Sequence, residues 1–205
     1  MQHSVADHPP TAPVHSFVDD VERLLDAHAR DHDPDLIVQA VQRRLTALLA
    51  SEGVLEPADR IPWADHYRPH LLTVAPSRRF SVMALIWAPE QVTPIHDHIC
   101  WCVVGVLEGL EREQRFSLRQ NDDGQRWLAP TTDVMVNPGE ISRLTPPEEN
   151  IHQVRNAGDA LAISLHIYGA DISVCGSSVN QCFDDLPIRA DTAATPQTFV
   201  SWRGS

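Results

Sequence analysis

Apolar side chains recur at three- and four-residue spacing between Val14 and Arg30. Val14, Phe17, Val18, Val21, Leu24, Leu25 and His28 share one face of a predicted amphipathic helix. A second helix is predicted after Asp33, a good N-cap, with Pro34 in the first helical position and Gly53 just past the end. Its apolar stripe is Ile37, Ala40, Val41, Leu45, Leu48 and Leu49, and Ile61-Pro62-Trp63 breaks the pattern. Beyond residue 70 the period shifts to short β-rich runs at 80–87, 101–107, 110–118, 134–136 and 161–168. Turn chemistry separates them at Asn121-Asp122-Asp123-Gly124 and Asn137-Pro138-Gly139. Short strands at this spacing predict a mainly β sandwich or barrel rather than a parallel sheet. The expected organisation is a loose tail (1–13), a helical extension (14–66) packed on the barrel, the barrel with its site (67–183) and a C-terminal extension (184–205).

Composition narrows the function. The 205 residues carry 16 Lys+Arg against 28 Asp+Glu, a net charge of -12, which repels nucleic-acid phosphates and anionic membrane surfaces. No apolar run approaches the length of a membrane span, and no signal-peptide pattern follows the polar start, so the expected location is cytoplasmic. The cysteines, Cys100, Cys102, Cys175 and Cys182, form no Cys-x-x-Cys pair, so free thiols are expected rather than a zinc knuckle. The oligomeric state is not encoded in any pattern we recognise.

Candidate chemistry concentrates in three segments. His96 and His98 stand two apart, and on a strand such residues point to one face, where two imidazoles can converge on a metal. That spacing equally fits one loop histidine and one core histidine. His152 opens a second cluster, His152-Gln153-Val154-Arg155-Asn156, after the Pro138-Gly139 turn. The third segment alternates cleanly: Leu161, Ile163, Leu165 and Ile167 face one way, and Ser164, His166 and Tyr168 the other. The polar face either meets solvent or lines the cavity around His152. Three neutral imidazoles leave a divalent ion its full charge, which favours an anionic ligand such as a thiolate. A zinc ion activating water fits three histidines as well.

These segments resemble the two cupin motifs. His96-x-His98 is followed after three residues by Cys102 and after six more by Gly109, with Cys102 where cupins usually carry a glutamate ligand. Over about half the chain, from Tyr67 to Asp171, the sequence resembles the cysteine dioxygenase family, including its 3-mercaptopropionate dioxygenase branch. The resemblance implies a jelly-roll-like cupin barrel with N-terminal α-helices, and Fe(2+) held by His96, His98 and His152. It implies addition of both atoms of O2 to the sulfur of a small thiol, giving a sulfinic acid. Tyr168 would hydrogen-bond oxygen or substrate, with His166 orienting Tyr168 and Ser164 orienting His166. Cys102 matches the position of a thioether partner of that tyrosine; otherwise it is a small buried residue.

The family's substrate-binding arginine positions are vacant. Pro69 occupies one, in Tyr67-Arg68-Pro69-His70, and Ser177 the other. Cysteine and 3-mercaptopropionate are therefore expected to be poor substrates, unless Arg68 or Arg155 reaches their carboxylate. Ergothioneine, a thiol-imidazole betaine oxidised by one branch of the family, is the expected thiol. Candidate pocket residues are Tyr67, Arg68, His70, Trp101 and Asp171, with Trp63 and Asp65 as further aromatic and acidic supply. A zinc or manganese cupin isomerase or hydrolase, and a metal-free ligand-binding cupin, are the alternatives.

Overall fold

The computed structural model describes residues 3–28, 33–147 and 150–190. Helix α1 (Ala12–Ala27) buries Val14, Phe17, Val18, Val21, Leu24 and Leu25, the expected stripe; the expected end at Arg30 lies outside the described residues. Helix α2 (Pro34–Leu49) is capped as expected, the Asp33 side chain accepting from the Asp35 backbone N–H at 2.9 Å. The helix stops at Leu49, and Gly53 serves a later turn at φ 68°.

The strands are β1 (Ser4–Val5), β2 (Arg68–Val74), β3 (Ser81–Trp87), β4 (His96–His98), β5 (Cys102–Glu108) and β6 (Glu111–Gln120). They continue as β7 (Arg126–Val136), β8 (Ile141–Leu144), β9 (Ile151–Asn156), β10 (Ala162–Tyr168) and β11 (Val179–Cys182), with a short helix α3 (Ile172–Cys175) before the last. They form two sheets, ordered β1-β2-β3-β10-β5-β8 and β11-β4-β9-β6-β7. This is the mainly β, cupin-type double-sheet barrel with N-terminal helices that the sequence led us to expect.

The first sheet is buried on both faces. Val82, Ala84 and Ile86 of β3 and Ile163, Leu165 and Ile167 of β10 join the apolar faces of α1 and α2 in one core. Met83, Leu85 and Trp87, with Cys102, Val104 and Tyr168, pack inside the barrel. Gly105 lets α2 approach: a Cβ there would sit 2.6 Å from Leu49 Cδ1. Gly109 turns β5 into β6 at φ 81°, where a Cβ would meet the Leu161 carbonyl oxygen at 2.5 Å.

The N-terminal tail is not loose throughout. Ser4–Val5 pairs in parallel with β2, and the Ser4 hydroxyl accepts from Arg68 Nε at 2.8 Å. Beneath it lies a buried polar network. His70 donates through Nε2 to Asp59 at 2.8 Å, and Arg68 and Ser4 surround its Nδ1. Burial lowers the His70 pKa, and this tautomer keeps the ring neutral beside Arg68. Among the described residues, no helix is long and apolar enough to cross a membrane.

Candidate metal centre

His96 and His152 face each other across the β4–β9 pair, and His98 lies one inward position further along β4. Their ligand nitrogens all lie within 4.8 Å of one another, with ring centroids 4.7 to 5.0 Å apart. Each Nδ1 is already engaged. His96 Nδ1 donates to the Pro94 carbonyl at 2.9 Å. His98 Nδ1 donates to Asn150 Oδ1 at 3.1 Å, and Asn150 returns a bond from Nδ2 to the His98 carbonyl. His152 Nδ1 donates to Glu113 Oε1 at 2.9 Å. Three donors at Nδ1 fix one tautomer, in which every Nε2 offers a bare lone pair.

Burial holds the His96 and His98 rings neutral. Desolvation, with the neighbouring His152, pushes His96 down to about 3, and His98 is also driven well below the usual imidazole range. Glu113 is buried, but the His152 hydrogen bond and Arg115 outweigh that burial and hold it ionised, down to about 2. Arg115 and Ser142 donate to it, so the carboxylate behind His152 is itself fixed. These residues fit a divalent cation: three nitrogens pre-oriented by their Nδ1 bonds, with one carboxylate behind them.

The third segment turns inward. Ser164, His166 and Tyr168 are 0%, 3% and 5% exposed, which rules out the solvent-facing reading. They form a row: Ser164 Oγ lies 3.0 Å from His166 Nε2, and Tyr168 Oη 3.0 Å from His166 Nδ1. The Tyr168 ring is 6.0 Å from that of His98. Cys102 is fully buried and pairs directly with Tyr168 across β5–β10.

A cleft of about 550 Å³, counting its open mouth, reaches His96, His152, His166 and Tyr168. Tyr67 lines it as expected, stacked on Trp87 at 4.6 Å. Pro69 and Ser177 also face it, and no Arg or Lys among the described residues does.

The other candidate pocket residues are elsewhere. Arg68 and His70 belong to the Asp59 network, because their places on β2 turn them to the outer side. Trp101 lies over Gly169, where a Cβ would clash with its ring at 2.3 Å. Asp171 caps α3 and pairs with Arg78. Trp63 stacks on His66, and Asp65 is exposed. Arg155 is on the outer face of β9, out of phase with His152 and Val154. Asn156 holds the β9–β10 turn, bonding Ala160 and Gly158. Reading the sequence missed Glu113, Asn150 and a second inward carboxylate, Glu111. The alternation in Glu111-Arg112-Glu113-Gln114-Arg115 was the available signal, but a charged strand reads as a solvated one.

A family model described as cysteine dioxygenase type I matches residues 12–179. The chain belongs to the cysteine dioxygenase type I family. Similar solved structures include a double-stranded β-helix protein from Klebsiella pneumoniae, at 14% identity and TM-score 0.42, covering 59% of this chain and 92% of that one. A sugar phosphate isomerase of the cupin superfamily from Silicibacter pomeroyi is 21% identical at TM-score 0.33, over 43% and 49% of the two chains. An oxalate oxidase in complex with glycolate is 17% identical at TM-score 0.36, over 45% and 43%. Membership of the cysteine dioxygenase family implies a dioxygenase acting on a small thiol and O2, and the histidine triad is where such a protein can hold its metal.

Proposed function

We propose that this chain is an iron(II) thiol dioxygenase that converts ergothioneine, in preference to cysteine or 3-mercaptopropionate, to its sulfinic acid. The observation that carries the reading is the convergence of three Nδ1-anchored histidines beside a cleft lined by Tyr168 and His166, with Ser164 buried behind His166. His96, His98 and His152 would hold iron(II), which when bound supplies the redox chemistry joining dioxygen to a thiolate sulfur. Neutral ligands leave the ion its charge, so an anionic thiolate is the favoured partner.

The protein's own groups do the rest. Tyr168 presents its hydroxyl to the cleft, and His166 holds that hydroxyl in place. The apolar lining, including Met83 and Leu85, excludes water around the sulfur.

Substrate choice rests on charge. Cysteine and 3-mercaptopropionate each carry a carboxylate close to the sulfur, for which a bidentate arginine is the usual partner. Pro69 and Ser177 supply none. The expected carboxylate partners for a quaternary ammonium, Asp65 and Asp171, are away from the cleft. The tyrosine faces of Tyr67 and Tyr168 remain as the cation–π surface. The test is kcat/KM for the three thiols under identical iron loading. Ergothioneine should lead; a tenfold lead for either of the others, about 1.4 kcal/mol of transition-state preference, would remove the charge argument.

A further inference from the structure

Glu111 is a buried carboxyl that this reading of the site leaves without a role. It projects from β6 into the barrel and is 2% exposed. It pairs across to Asn156, so Val154 stands between it and His152 along β9. Its carboxyl lies beside the Ser164 hydroxyl and the Trp87 indole, and Oε1 has no hydrogen-bond partner among the described residues. Trp87 Nε1 donates to Ser164 Oγ at 3.3 Å. The Ser164–His166–Tyr168 row therefore begins at an acid that is sealed away from solvent.

We propose that Glu111 is a proton store for the cleft, acting through Ser164, His166 and Tyr168 as a positioning residue. The directions of the bonds follow from the donor inventory. A neutral Glu111 donates to Ser164 Oγ, Ser164 donates to His166 Nε2, and His166 Nδ1–H donates to Tyr168 Oη. The tyrosine O–H then points into the cleft.

Delivery reverses the whole row. Tyr168 gives its proton to a basic atom of the bound ligand and takes one from His166 Nδ1. His166 takes one at Nε2 from Ser164, and Ser164 takes one from Glu111. Four O–H or N–H bonds break and four form. The ligand gains one proton and Glu111 ends as the carboxylate, and each of the three groups between them keeps its charge.

Other features agree with this assignment. Desolvation pushes Glu111 up to about 8, with Glu113 adding to the rise, so it holds its proton at neutral pH. Desolvation pushes His166 down to about 3, so a charged imidazolium is not a resting state of the row. The titratable groups around Glu111 are Glu113, ion-paired with Arg115, on its own strand and His152 on β9, with His166 on β10 one step further, beyond Ser164. Glu113 stays ionised throughout this range, leaving Glu111 as the carboxyl that changes state.

The proposal rests on the dioxygenase reading of the site, and the test separates the two. Infrared difference spectra of the iron-loaded protein, taken across pH 8, should show a protonated-carboxyl band that disappears on the alkaline side. The band should be missing in Glu111→Gln and shifted in Ser164→Ala, which removes the partner of the acid and cuts the row but leaves the carboxyl in place. Turnover should lose its alkaline limb and its solvent isotope effect in Glu111→Gln, with kcat down about 100-fold or more and KM nearly unchanged. A Glu111 ionised at neutral pH, a band indifferent to Ser164→Ala, or an unaltered pH profile in Glu111→Gln would each overturn the proposal. If the band behaves as described while no thiol is oxidised, the proton store stands and the dioxygenase reading falls.

Discussion

Each metal-site histidine owes its orientation to a partner at Nδ1, so the partners are as testable as the ligands. His152→Ala should abolish metal binding while leaving the fold, because the β4–β9 pairing is made by backbone groups. Metal content and circular dichroism together check this, and full iron occupancy in that variant would remove His152 from the site. Glu113→Gln should weaken metal affinity by about 10- to 100-fold, the usual cost of losing such a supporting carboxylate, as read by competition with a chelator. Tyr168→Phe keeps the ring against His98 and removes only the hydroxyl. Its kcat should fall steeply at unchanged iron content, and a normal rate would take Tyr168 out of the mechanism. Cys102 and Tyr168 are direct cross-strand neighbours, so a thioether between them is sterically open. Intact mass after turnover should drop by two hydrogens, and Cys102→Ala should abolish the drop; an unchanged mass would leave Cys102 as packing.

At the scale of elements, two glycines set how closely layers approach, and their obstacles differ. A Cβ at Gly105 meets the end of the Leu49 side chain, which can rotate away. One at Gly109 meets backbone at positive φ, which cannot. Gly109→Ala should therefore destabilise more than Gly105→Ala, by about 1–3 kcal/mol, in denaturant unfolding; the reverse order would contradict this packing. The same contrast explains what the sequence disclosed. β3 was legible because its apolar run is almost continuous, β10 because its apolar and polar residues alternate cleanly, and the helices because α1 and α2 each bury one clean stripe. Strand β7 runs over Arg126–Val136, whereas only 134–136 was expected, because most of it is an exposed edge with Thr131, Thr132 and Asp133. The inward carboxylates of β6 were hidden by their own charge. Their partners come from elsewhere in the sequence: Glu113 is held by His152 and Ser142, and Glu111 abuts Ser164 and Trp87.

For the whole molecule, the barrel brings residues from β4, β9 and β10 to one cleft, and α1 and α2 seal the far side of the β3–β10–β5 layer. The convergence of His96, His98 and His152 could be read from spacing and resemblance. The lining of the cleft could not, because Arg68 and Pro69 are neighbours in sequence yet face opposite sides of β2. Pro69 reaches the cleft, and Arg68 is committed to Ser4 and to carbonyls at Ala58 and Ile61. The central claim is dioxygenation of a thiol sulfur at the histidine triad. Its most direct test is turnover of ergothioneine by the iron-loaded protein under isotopically heavy dioxygen, with mass analysis of the product. The account predicts a sulfinic acid carrying both heavy oxygen atoms, and none from a His96→Ala protein. A product with one heavy atom or none, or equal yield from His96→Ala, would contradict it.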